Sequence, residues 1–550
     1  MDTNDCPLLE EVKHLVQRAQ LGHASEVLAT AETRLGELGD GTVEGGPAAM
    51  HFPRVVALID DDAAAGLTAT EDMLAAAERD DAQGWRACAL ALRAEAKLLL
   101  GDDDPARYDV EAVLVDLAAA EAALELSGAE GYVASTAHVA IANSYLPLRL
   151  YELALPHQEA AYEISLAHSR QEDANPSMWL INLANLHLRW CLELYRVGLD
   201  AEAEEHSARA HAHAAAAAER LAGAVLLPAV TAWMEPCLLF EAAARSDGPE
   251  PGGAVEDIQR LLPAVRELGN AHDHALAVPF LAVALMREGR HEESLTVIEQ
   301  ALALAPTAER ASPAYLSLAH TYSLLLARAS KPAAAALEYG NALAADSWRQ
   351  RQRTLAAAQT MRAFAQLQAE HEQVTREADT DALTGVANRR AFDRHLQDLE
   401  HAEDDDREVG VLFIDLDEFK EVNDTQGHAV GDAMLQGVAQ AIAANSREDD
   451  VVARVGGDEF AVLLPGAGAD DTDLAAARIL AAVRDAPQQL PTVSIGGAAG
   501  PARTIRDVIV CADEAMYVAK RGGRNQHHVC DGTGSGSVVS GGLVSGGARS

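Results

Sequence analysis

The feature that most constrains the fold is a change of sequence pattern near residue 379. From about residue 8 to residue 345, apolar residues recur at helical spacing and β-branched runs are almost absent. After residue 379, apolar runs such as VGVLFIDLD (409–417) alternate with helical patterns. A chain of 550 residues is also too long for one ordinary domain. The sequence therefore predicts a multidomain protein with an all-α N-terminal region and a separate C-terminal α/β domain.

Pairs of small residues spaced seven apart recur along the N-terminal region. The first members are 49, 91 and 41 residues apart in the pairs Ala154/Ala161, Ala203/Ala210, Ser294/Ala301 and Ala335/Ala342. A period in the forties is typical of stacked helical hairpins. The stretch ALMREGRHEESLTVIEQALALAP (284–306) resembles a tetratricopeptide repeat. We therefore predict a tetratricopeptide-like α-solenoid over 1–345, which is either a spacer or a surface for an unidentified protein, peptide or small-molecule ligand.

Two further segments follow from composition. Residues 346–378 are predicted to form one long linker helix, because SWRQRQRTLAAAQTMRAFAQLQAEHEQVTREAD (347–379) contains neither Gly nor Pro. This helix can act as a stalk or pair with a second chain as a coiled coil, although its heptad pattern is imperfect. The tail, 531–550, is rich in Gly and Ser and is predicted to be disordered.

The charge balance restricts the classes of partner. The chain has 43 Lys and Arg against 85 Asp and Glu, a net charge of −42, so we expect no nucleic-acid partner. The six cysteines form no CxxC pair, which suggests neither a zinc site nor a disulfide framework and fits a reducing cytosol. The N-terminus does not resemble a signal peptide, and the apolar stretch 224–240 contains two prolines and Glu235. We therefore expect a cytoplasmic protein without membrane insertion.

Carboxylates follow the predicted strand at 409–417. Asp415 lies within the apolar run, where a lone carboxylate is costly unless it binds a cation. Asp417 is interpreted as the cap of the next helix. A second pair of acids, Asp458 and Glu459, follows two glycines in ARVGGDEFAVLLP (453–465). Alone, this stretch is typical of a hairpin turn whose glycines adopt positive φ.

These acids converge if the strands at 410–415 and 451–463 are neighbours. Oxygen ligands on adjacent strands are what Mg²⁺ needs in phosphoryl or nucleotidyl transfer. Cations for phosphate binding are available at Lys420, and at Lys520 and Arg524 in YVAKRGGRN. The latter two also fit a basic helix C-terminus that complements the helix dipole.

Five segments in this region resemble, in order and spacing, the GGDEF domain of diguanylate cyclases. They are DALTGVANRRAFDRHL (381–396), FIDLDEFKEVNDTQGHAVGD (413–432), RVGGDEFAVLLP (454–465), VSIGGA (493–498) and ADEAMYVAKRGGRN (512–525). The resemblance covers about 379–530 and departs from the common pattern at Val386 and Gln426. It implies a catalytic α/β domain of the nucleotidyl-cyclase, palm-like type, with helices packed on a mostly antiparallel sheet.

The resemblance implies that a homodimer condenses two GTP into cyclic di-GMP and releases pyrophosphate. It implies two Mg²⁺ per active site, with Mn²⁺ as an alternative, and the ligands would be Asp415, the Leu416 carbonyl, Asp458 and Glu459. Glu459 is also a candidate base for the attacking 3′-hydroxyl. Guanine would be bound by Asn423 and Asp432, with His428 lining the pocket. The plain alternatives for that pair are a turn residue and a helix N-cap.

The resemblance also assigns a phosphate site and a product site. The phosphates would be held by amides near Phe419 and by Lys420, Lys520 and Arg524, while Gly456 and Gly457 let the backbone approach the nucleotide. Arg447 and Asp450 form an RxxD motif ahead of Gly456, and Arg478 would join them in binding cyclic di-GMP as an inhibitor. The motif also fits an ordinary charged turn. Two alternatives to an active cyclase stay open, namely a catalytically silent GGDEF nucleotide receptor and a solenoid adaptor.

Overall fold

The protein is described by a computed structural model in two compact units, Met1–Ala369 and Glu370–Ser550. The described residues are 7–20, 22–38, 45–59, 61–103, 108–167, 175–223, 228–249, 251–267, 271–304, 312–328, 330–400, 407–447, 449–486, 490–530 and 538–539. The predicted disordered tail, 531–550, lies outside them apart from Val538–Val539.

Helices make up the regular structure of the first unit in its described parts, as the sequence predicts. Their bounds are α1 Pro7–Gln20, α2 Ala24–Leu38, α3 Gly46–Leu58, α4 Ala63–Arg79, α5 Gln83–Asp103, α6 Val110–Ser127, α7 Gly131–Tyr145, α8 Tyr151–Ala167, α9 Asn175–Arg196, α10 Asp200–Gly223, α11 Pro228–Asp247, α12 Ala254–Glu267, α13 Ala271–Arg287, α14 His291–Leu304, α15 Pro313–Ala327 and α16 Lys331–Asp379. Side-chain caps begin several of them: Asp62, Asp109 and Ser312 each accept a hydrogen bond from the amide three residues later.

Three of the four predicted small-residue pairs are buried in this unit. Ala154/Ala161, Ala203/Ala210 and Ser294/Ala301 are each at most 5% exposed. The fourth pair, Ala335/Ala342, is exposed on α16, so its assignment to a helix interface was wrong. Small size alone does not show that a neighbouring helix is present. The tetratricopeptide-like solenoid stays a prediction.

A pair of histidines repeats with the same offset as the alanines. His138 and His157 join α7 to α8 with their Nδ1 atoms 2.8 Å apart, and His187 and His206 join α9 to α10 at the same distance. Each histidine of the second pair lies 49 residues after its counterpart, as Ala203 lies 49 residues after Ala154. Two consecutive helical hairpins therefore share one structural pattern, which the sequence analysis detected only through the alanines.

The predicted linker helix is part of α16, which begins at Lys331 rather than at 346. Its middle packs within the first unit. Leu355 and Ala358 are buried, and the Arg351 guanidinium donates to the Arg149 carbonyl and is ion-paired with Glu152. The division between the two units falls inside α16, between Ala369 and Glu370. Only the part of the predicted stalk that follows residue 369 lies outside the first unit.

The second unit contains a seven-stranded sheet with the order β1-β3-β4-β2-β5-β6-β7. Its elements are β1 Ala387–Asn388, α17 Arg389–Glu400, β2 Glu408–Leu416, α18 Phe419–Gln426, α19 His428–Ala443, β3 Val451–Arg454, β4 Glu459–Pro465, α20 Ala469–Arg484, β5 Val493–Pro501, α21 Ile505–Arg521, β6 Gln526–Cys530 and β7 Val538–Val539. Strand β2 is central and pairs antiparallel with β4 and β5, while β1–β3 and β5–β6 are parallel. The predicted mostly antiparallel sheet is therefore present.

The two faces of the sheet carry separate apolar cores. Leu412 and Ile414 face a core that includes residues of α19 and α20, whereas Val409 and Val411 face one that includes residues of α17 and α21. This alternation follows from the two-residue period of a strand. Asp415 follows the odd-numbered positions and so lies on the α21 face.

Two expectations about the chain as a whole can be compared with the structure. No described helix is long and apolar enough to cross a membrane. The sequence suggests no disulfide framework, and among the described residues the structure pairs Cys511 of α21 with Cys530 of β6, with Cα atoms 6.6 Å apart. Packing of α21 beside β6 brings the two sulfurs together, and no spacing motif in the sequence signals it.

Candidate active site

The site is built at the end of β2, where two acids face each other across the sheet. Asp415 is the register partner of Glu459 at the start of β4. Directly opposed residues of an antiparallel pair point to the same face. The amide of Leu416 donates to the Asp458 carbonyl at 3.2 Å, which ties the hairpin to the strand end. The predicted convergence of Asp415, Asp458 and Glu459 on neighbouring strands is therefore what the sheet produces.

Helix α21 brings a cation to these acids. Lys520 Nζ lies 2.7 Å from Asp415 Oδ2. The helix can lie close to the sheet because Gly496 of β5 has no side chain: a Cβ there would be 2.0 Å from the Met516 amide nitrogen. Lys520 follows Met516 by one helical turn and so shares its face. The absence of a side chain at Gly496 therefore lets α21 place Lys520 beside Asp415.

The β3–β4 hairpin is held by an arginine that the sequence analysis did not assign. Arg454 donates to the Gly457 carbonyl through Nε at 3.1 Å and Nη2 at 2.7 Å. Its Nη1 is ion-paired with Asp381 at 3.1 Å, and Asp381 also accepts from Thr384. Both residues lie within the motif segments of the sequence, Asp381 in DALTGVANRRAFDRHL and Arg454 in RVGGDEFAVLLP, and this is the only indication of their role that the sequence offers. Arg454 and Asp381 therefore hold in place the hairpin that carries Asp458 and Glu459.

The two glycines of this hairpin do not serve the expected conformational purpose. Neither Gly456 nor Gly457 has a positive φ, so that interpretation was wrong. A Cβ at Gly456 would lie 2.8 Å from Glu459 Oε2, so a larger residue there would displace that carboxylate. A Cβ at Gly457 would meet nothing within 4 Å, which leaves open space beside the exposed turn.

Asp417 is not the cap of α18. The N-cap of that helix is Glu418, and the Asp417 side chain is 7% exposed. Its carboxylate accepts hydrogen bonds from Thr492 Oγ1 at 2.7 Å, Ser494 Oγ at 2.6 Å and the Asn525 amide at 3.0 Å. These contacts join the end of β2 to the start of β5 and to the turn after α21. Asp417 is therefore a structural anchor beneath the acids.

The first turn of α18 presents backbone amides beside basic residues. Its first helical hydrogen bonds run from Glu421 and Val422 to the Glu418 carbonyl, so the amides of Phe419 and Lys420 precede them. Such amides are suited to an anion. Arg524 Nη1 lies 3.7 Å from Glu418 Oε1, which places this arginine next to the same turn. Lys420 is exposed.

The predicted guanine-binding residues lie on α18 and α19. A Cβ built on Gly431 would be 2.1 Å from Asn423 Oδ1 and 3.3 Å from the Phe419 ring, so both side chains pack against this glycine. Asp432 is the next residue and is exposed. The N-cap of α19 is Gly427, which means that Asp432 is not a helix cap. His428 is exposed in the first turn of α19.

The electrostatics of the acids suit a divalent cation. Burial raises the pKa of Asp415, and the charges of Asp458 and Glu459 raise it further, while Lys520 opposes the shift. Among the described residues, no three carboxylate, imidazole or thiolate side chains form a ready-made metal site. Asp415 is instead ion-paired with Lys520. The donor set is nonetheless all oxygen, and its mutual repulsion would be relieved by a cation, so these residues fit Mg²⁺.

The predicted product site lies apart from this cluster. Arg447 and Asp450 follow the C-terminal end of α19, about 24 Å along the helix from His428. Asp450 Oδ2 accepts from the Arg447 amide at 2.7 Å, which is the geometry of a local turn. Arg478 Nε donates to the Asn445 carbonyl at 2.8 Å. The turn and α20 thus bring both arginines to one surface, and the Arg447 side chain is exposed.

Comparisons with known proteins agree with the five motifs. Residues 378–526 match the family described as "Diguanylate cyclase, GGDEF domain". The diguanylate cyclase TpbB of Pseudomonas aeruginosa is 39% identical over 177 residues, which cover 30% of this chain and 41% of TpbB. The cyclic di-GMP phosphodiesterase PdeR of Escherichia coli is 41% identical over 160 residues, which cover 27% of this chain and 23% of PdeR. The chain thus spans less than half the length of either relative.

A solved structure of similar sequence contains the coiled coil and GGDEF domain of DgcB from Caulobacter crescentus in complex with c-di-GMP. It is 32% identical, has a TM-score of 0.28, and covers 32% of this chain and 97% of that one. The family match and the curated relatives confirm that the segment 378–526 is a GGDEF domain of the diguanylate cyclase type.

Proposed function

We propose that this GGDEF domain is an active diguanylate cyclase that condenses two GTP into cyclic di-GMP and releases two pyrophosphate. One observation carries the proposal. Asp415 and Glu459 are register partners at the end of the central strand, with Asp458 and Lys520 beside them. In nucleotidyl transfer, acids on adjacent strands hold metal ions, and a nearby cation and helix N-terminus bind phosphate.

The residues of the chain divide into groups that bind different parts of GTP. Asn423 and Asp432 bind guanine, because a carboxylate accepts hydrogen bonds from both the N1–H and the exocyclic amine, which adenine does not offer together. His428 lines this pocket. The amides of Phe419 and Lys420 bind the β- and γ-phosphates, together with the side chains of Lys420, Lys520 and Arg524. The open space at Gly457 and the small Gly456 let the nucleotide lie against the hairpin.

The domain also has residues for two Mg²⁺, or Mn²⁺, per active site. Asp415, the Leu416 carbonyl, Asp458 and Glu459 would hold the ions. When bound, the ions neutralise negative charge on the phosphates. Lys520 lies 2.7 Å from Asp415 and would be available to phosphate if that carboxylate held a cation.

The reaction requires two domains. The 3′-hydroxyl oxygen of each GTP forms a bond to the α-phosphorus of the other, and the bond from that phosphorus to pyrophosphate breaks. Glu459 accepts the hydroxyl proton. Each domain binds one GTP, so the two half-sites must face each other in a symmetric homodimer. The helical first unit and α16 regulate how often the half-sites meet, in response to a ligand of a predicted tetratricopeptide-like solenoid. Bound cyclic di-GMP at Arg447, Asp450 and Arg478 holds them apart.

The test is incubation of the full chain with GTP and Mg²⁺, followed by chromatography of the nucleotides. Cyclic di-GMP and pyrophosphate are expected, with specific activity that rises with protein concentration where the dimer is incompletely formed. Binding of GTP without product would identify a silent receptor instead. Full activity of a strictly monomeric species would contradict the two-half-site mechanism. The expected location is the cytoplasm, where GTP is available.

A further inference from the structure

The first unit contains a cavity that none of the roles above uses. Its volume is about 610 Å³, and it is lined by residues of α9, α10, α11, α13, α15 and α16. The apolar part of its wall includes Leu192, Phe280, Val283 and Met286. The volume lies within the range of ordinary small-molecule sites, about 300–1,000 Å³. Leu324 is 41% exposed at its edge, so the cavity reaches the surface.

A buried arginine without a partner lines this cavity. Arg196, the last residue of α9, is 7% exposed, and its Nε and Nη1 atoms are buried without a hydrogen-bond partner. Burial lowers the pKa of this guanidinium. A buried cation is normally paired, because removing it from water without compensation costs several kcal/mol. Arg196 is therefore a group that lacks an expected anion.

The carboxylate whose charge acts on Arg196 already has other partners. Glu193, one turn before Arg196, is bound in bidentate fashion by Arg149, with Nε–Oε1 at 2.6 Å and Nη2–Oε2 at 2.7 Å. It also accepts from the Tyr151 hydroxyl at 3.2 Å. With these three bonds, Glu193 is committed to Arg149 and cannot serve Arg196 equally well.

The acids of the cavity wall do not pair with Arg196 either. Asp247 accepts from the Tyr195 hydroxyl at 2.6 Å and lies 3.6 Å from Arg287. Asp200 and Glu204 are exposed on the first turns of α10. The cavity thus has an unpaired cation at a buried position, while of its acids Asp247 is bonded to other groups and Asp200 and Glu204 are exposed to solvent.

His320 marks a second polar position of the cavity. Its Nε2 lies 3.1 Å from Asn341 Oδ1. Burial lowers the pKa of His320, the hydrogen bond to Asn341 opposes the shift, and the charge of Arg196 adds to it. Arg196 and His320 are therefore close enough to interact electrostatically. Because the Nε2–H of His320 donates to the Asn341 oxygen, His320 offers no free donor to an anion, and the pairing falls to Arg196.

We propose that this cavity binds a small organic anion, a carboxylate or phosphate attached to an apolar body, whose anionic group pairs with Arg196. The planar guanidinium fork matches both oxyanions. The apolar body lies against Phe280, Val283 and Met286. Binding is independent of the chemistry of the GGDEF domain, so this proposal and the proposed cyclase activity can fail separately.

The test is isothermal titration calorimetry of the full chain with four probes: octanoate, octyl phosphate, 1-octanol and inorganic phosphate. Octanoate, octyl phosphate or both are expected to bind in a one-to-one ratio, and the comparison of the two distinguishes carboxylate from phosphate. The alcohol lacks the charge and inorganic phosphate lacks the apolar body, so both are expected to bind more weakly. Equal binding of 1-octanol and the anions, or no binding of either anion at millimolar concentration, overturns the proposal.

Three variants locate the site. Arg196→Gln is expected to weaken binding of the preferred anion roughly 10- to 100-fold, the effect of losing a charge-assisted hydrogen bond. Arg189→Gln is the matched control, because Arg189 lies on the same helix but donates to Asn185 and does not line the cavity. Val283→Trp adds bulk at a cavity-lining position of α13, leaves the Arg196 residue unchanged, and is expected to abolish binding. Wild-type affinity in Arg196→Gln or in Val283→Trp overturns the assignment.

Discussion

The carboxylate of Asp417 accepts a hydrogen bond from the backbone amide of Asn525, which lies 108 residues later in the chain, at 3.0 Å. Together with the bonds from Thr492 and Ser494, this contact fixes the end of β2 against the turn that carries Arg524. The acids proposed to bind metal and the cations proposed to bind phosphate are therefore supported by one buried side chain to which the proposed mechanism gives no chemical role.

Asp417→Ala is expected to destabilise the second unit by about 3 kcal/mol, because three buried donors lose a charged acceptor. Asp417→Asn should lose less, since the amide keeps one oxygen. The measurement is hydrogen–deuterium exchange of peptides that cover β2 and β5. Fluorescence is unsuitable, because all five tryptophans precede residue 379. Unchanged exchange in Asp417→Ala would show that the anchor contributes little.

Asp458→Ala is expected to lower cyclic di-GMP production about 100-fold or more, because a proposed ligand of the Mg²⁺ that neutralises phosphate charge is lost. The fold should persist, since the structural bond of Asp458 to Leu416 uses the backbone carbonyl. Product is measured by chromatography and folding by exchange. Asp470→Ala, at an exposed acid of α20, serves as the control. Wild-type turnover in Asp458→Ala, with Mg²⁺ still required, would contradict the metal assignment.

Asp432→Ser is expected to reduce the preference for GTP over ATP by at least about 100-fold, because the double acceptor for guanine is lost. Stability should be unaffected, since Asp432 is exposed and does not cap α19. A mixed incubation with GTP and ATP measures the preference. Asp424→Ser removes a neighbouring exposed acid of α18 and should leave base choice unchanged. Exclusive use of GTP by Asp432→Ser would remove this residue from the guanine site.

Arg447→Ala is expected to keep the initial rate and lose late inhibition by product, so progress curves should no longer level off. The exposed guanidinium is free to bind guanine or phosphate, whereas the turn is held by the Arg447 amide, which alanine retains. Arg484→Ala is the matched control, because Arg484 is an exposed arginine of α20 that is bonded to Asp485. If Arg447→Ala binds cyclic di-GMP with unchanged affinity and is inhibited as before, the motif is an ordinary turn.

Asp273→Asn is expected to stabilise the first unit above pH 6. Burial raises the pKa of Asp273 to about 6, although Arg189 and the hydrogen bond from Asn185 oppose the shift. An acid whose pKa is raised in the folded state makes the wild type more stable as pH falls through that value. The variant should therefore gain about 1–3 kcal/mol at pH 8, and the difference should vanish near pH 4. Denaturation followed by tryptophan fluorescence reports this unit; a pH-independent difference would contradict the linkage.

Local sequence determined the helices and strands and the acidic residues of the candidate site. The apolar run VGVLFIDLD specifies a buried strand, and the helical period before residue 379 specifies the first unit. The acids Asp415, Asp458 and Glu459 follow from the same local pattern, since each lies at a strand end or in a turn. The ordered motifs identified the domain type, which the family match confirms.

Only the tertiary structure determined which polar side chains stabilise the fold and which are left without a partner. Asp417 looked like a helix cap because caps are local, but its partners Thr492 and Asn525 lie 75 and 108 residues away. Arg454 holds the hairpin because it is paired with Asp381, which is 73 residues earlier in the chain but adjacent in the fold. Arg196 gave no signal at all, since an unpaired buried cation is defined by what surrounds it. Burial and pairing depend on which distant segments meet, and no local period encodes that.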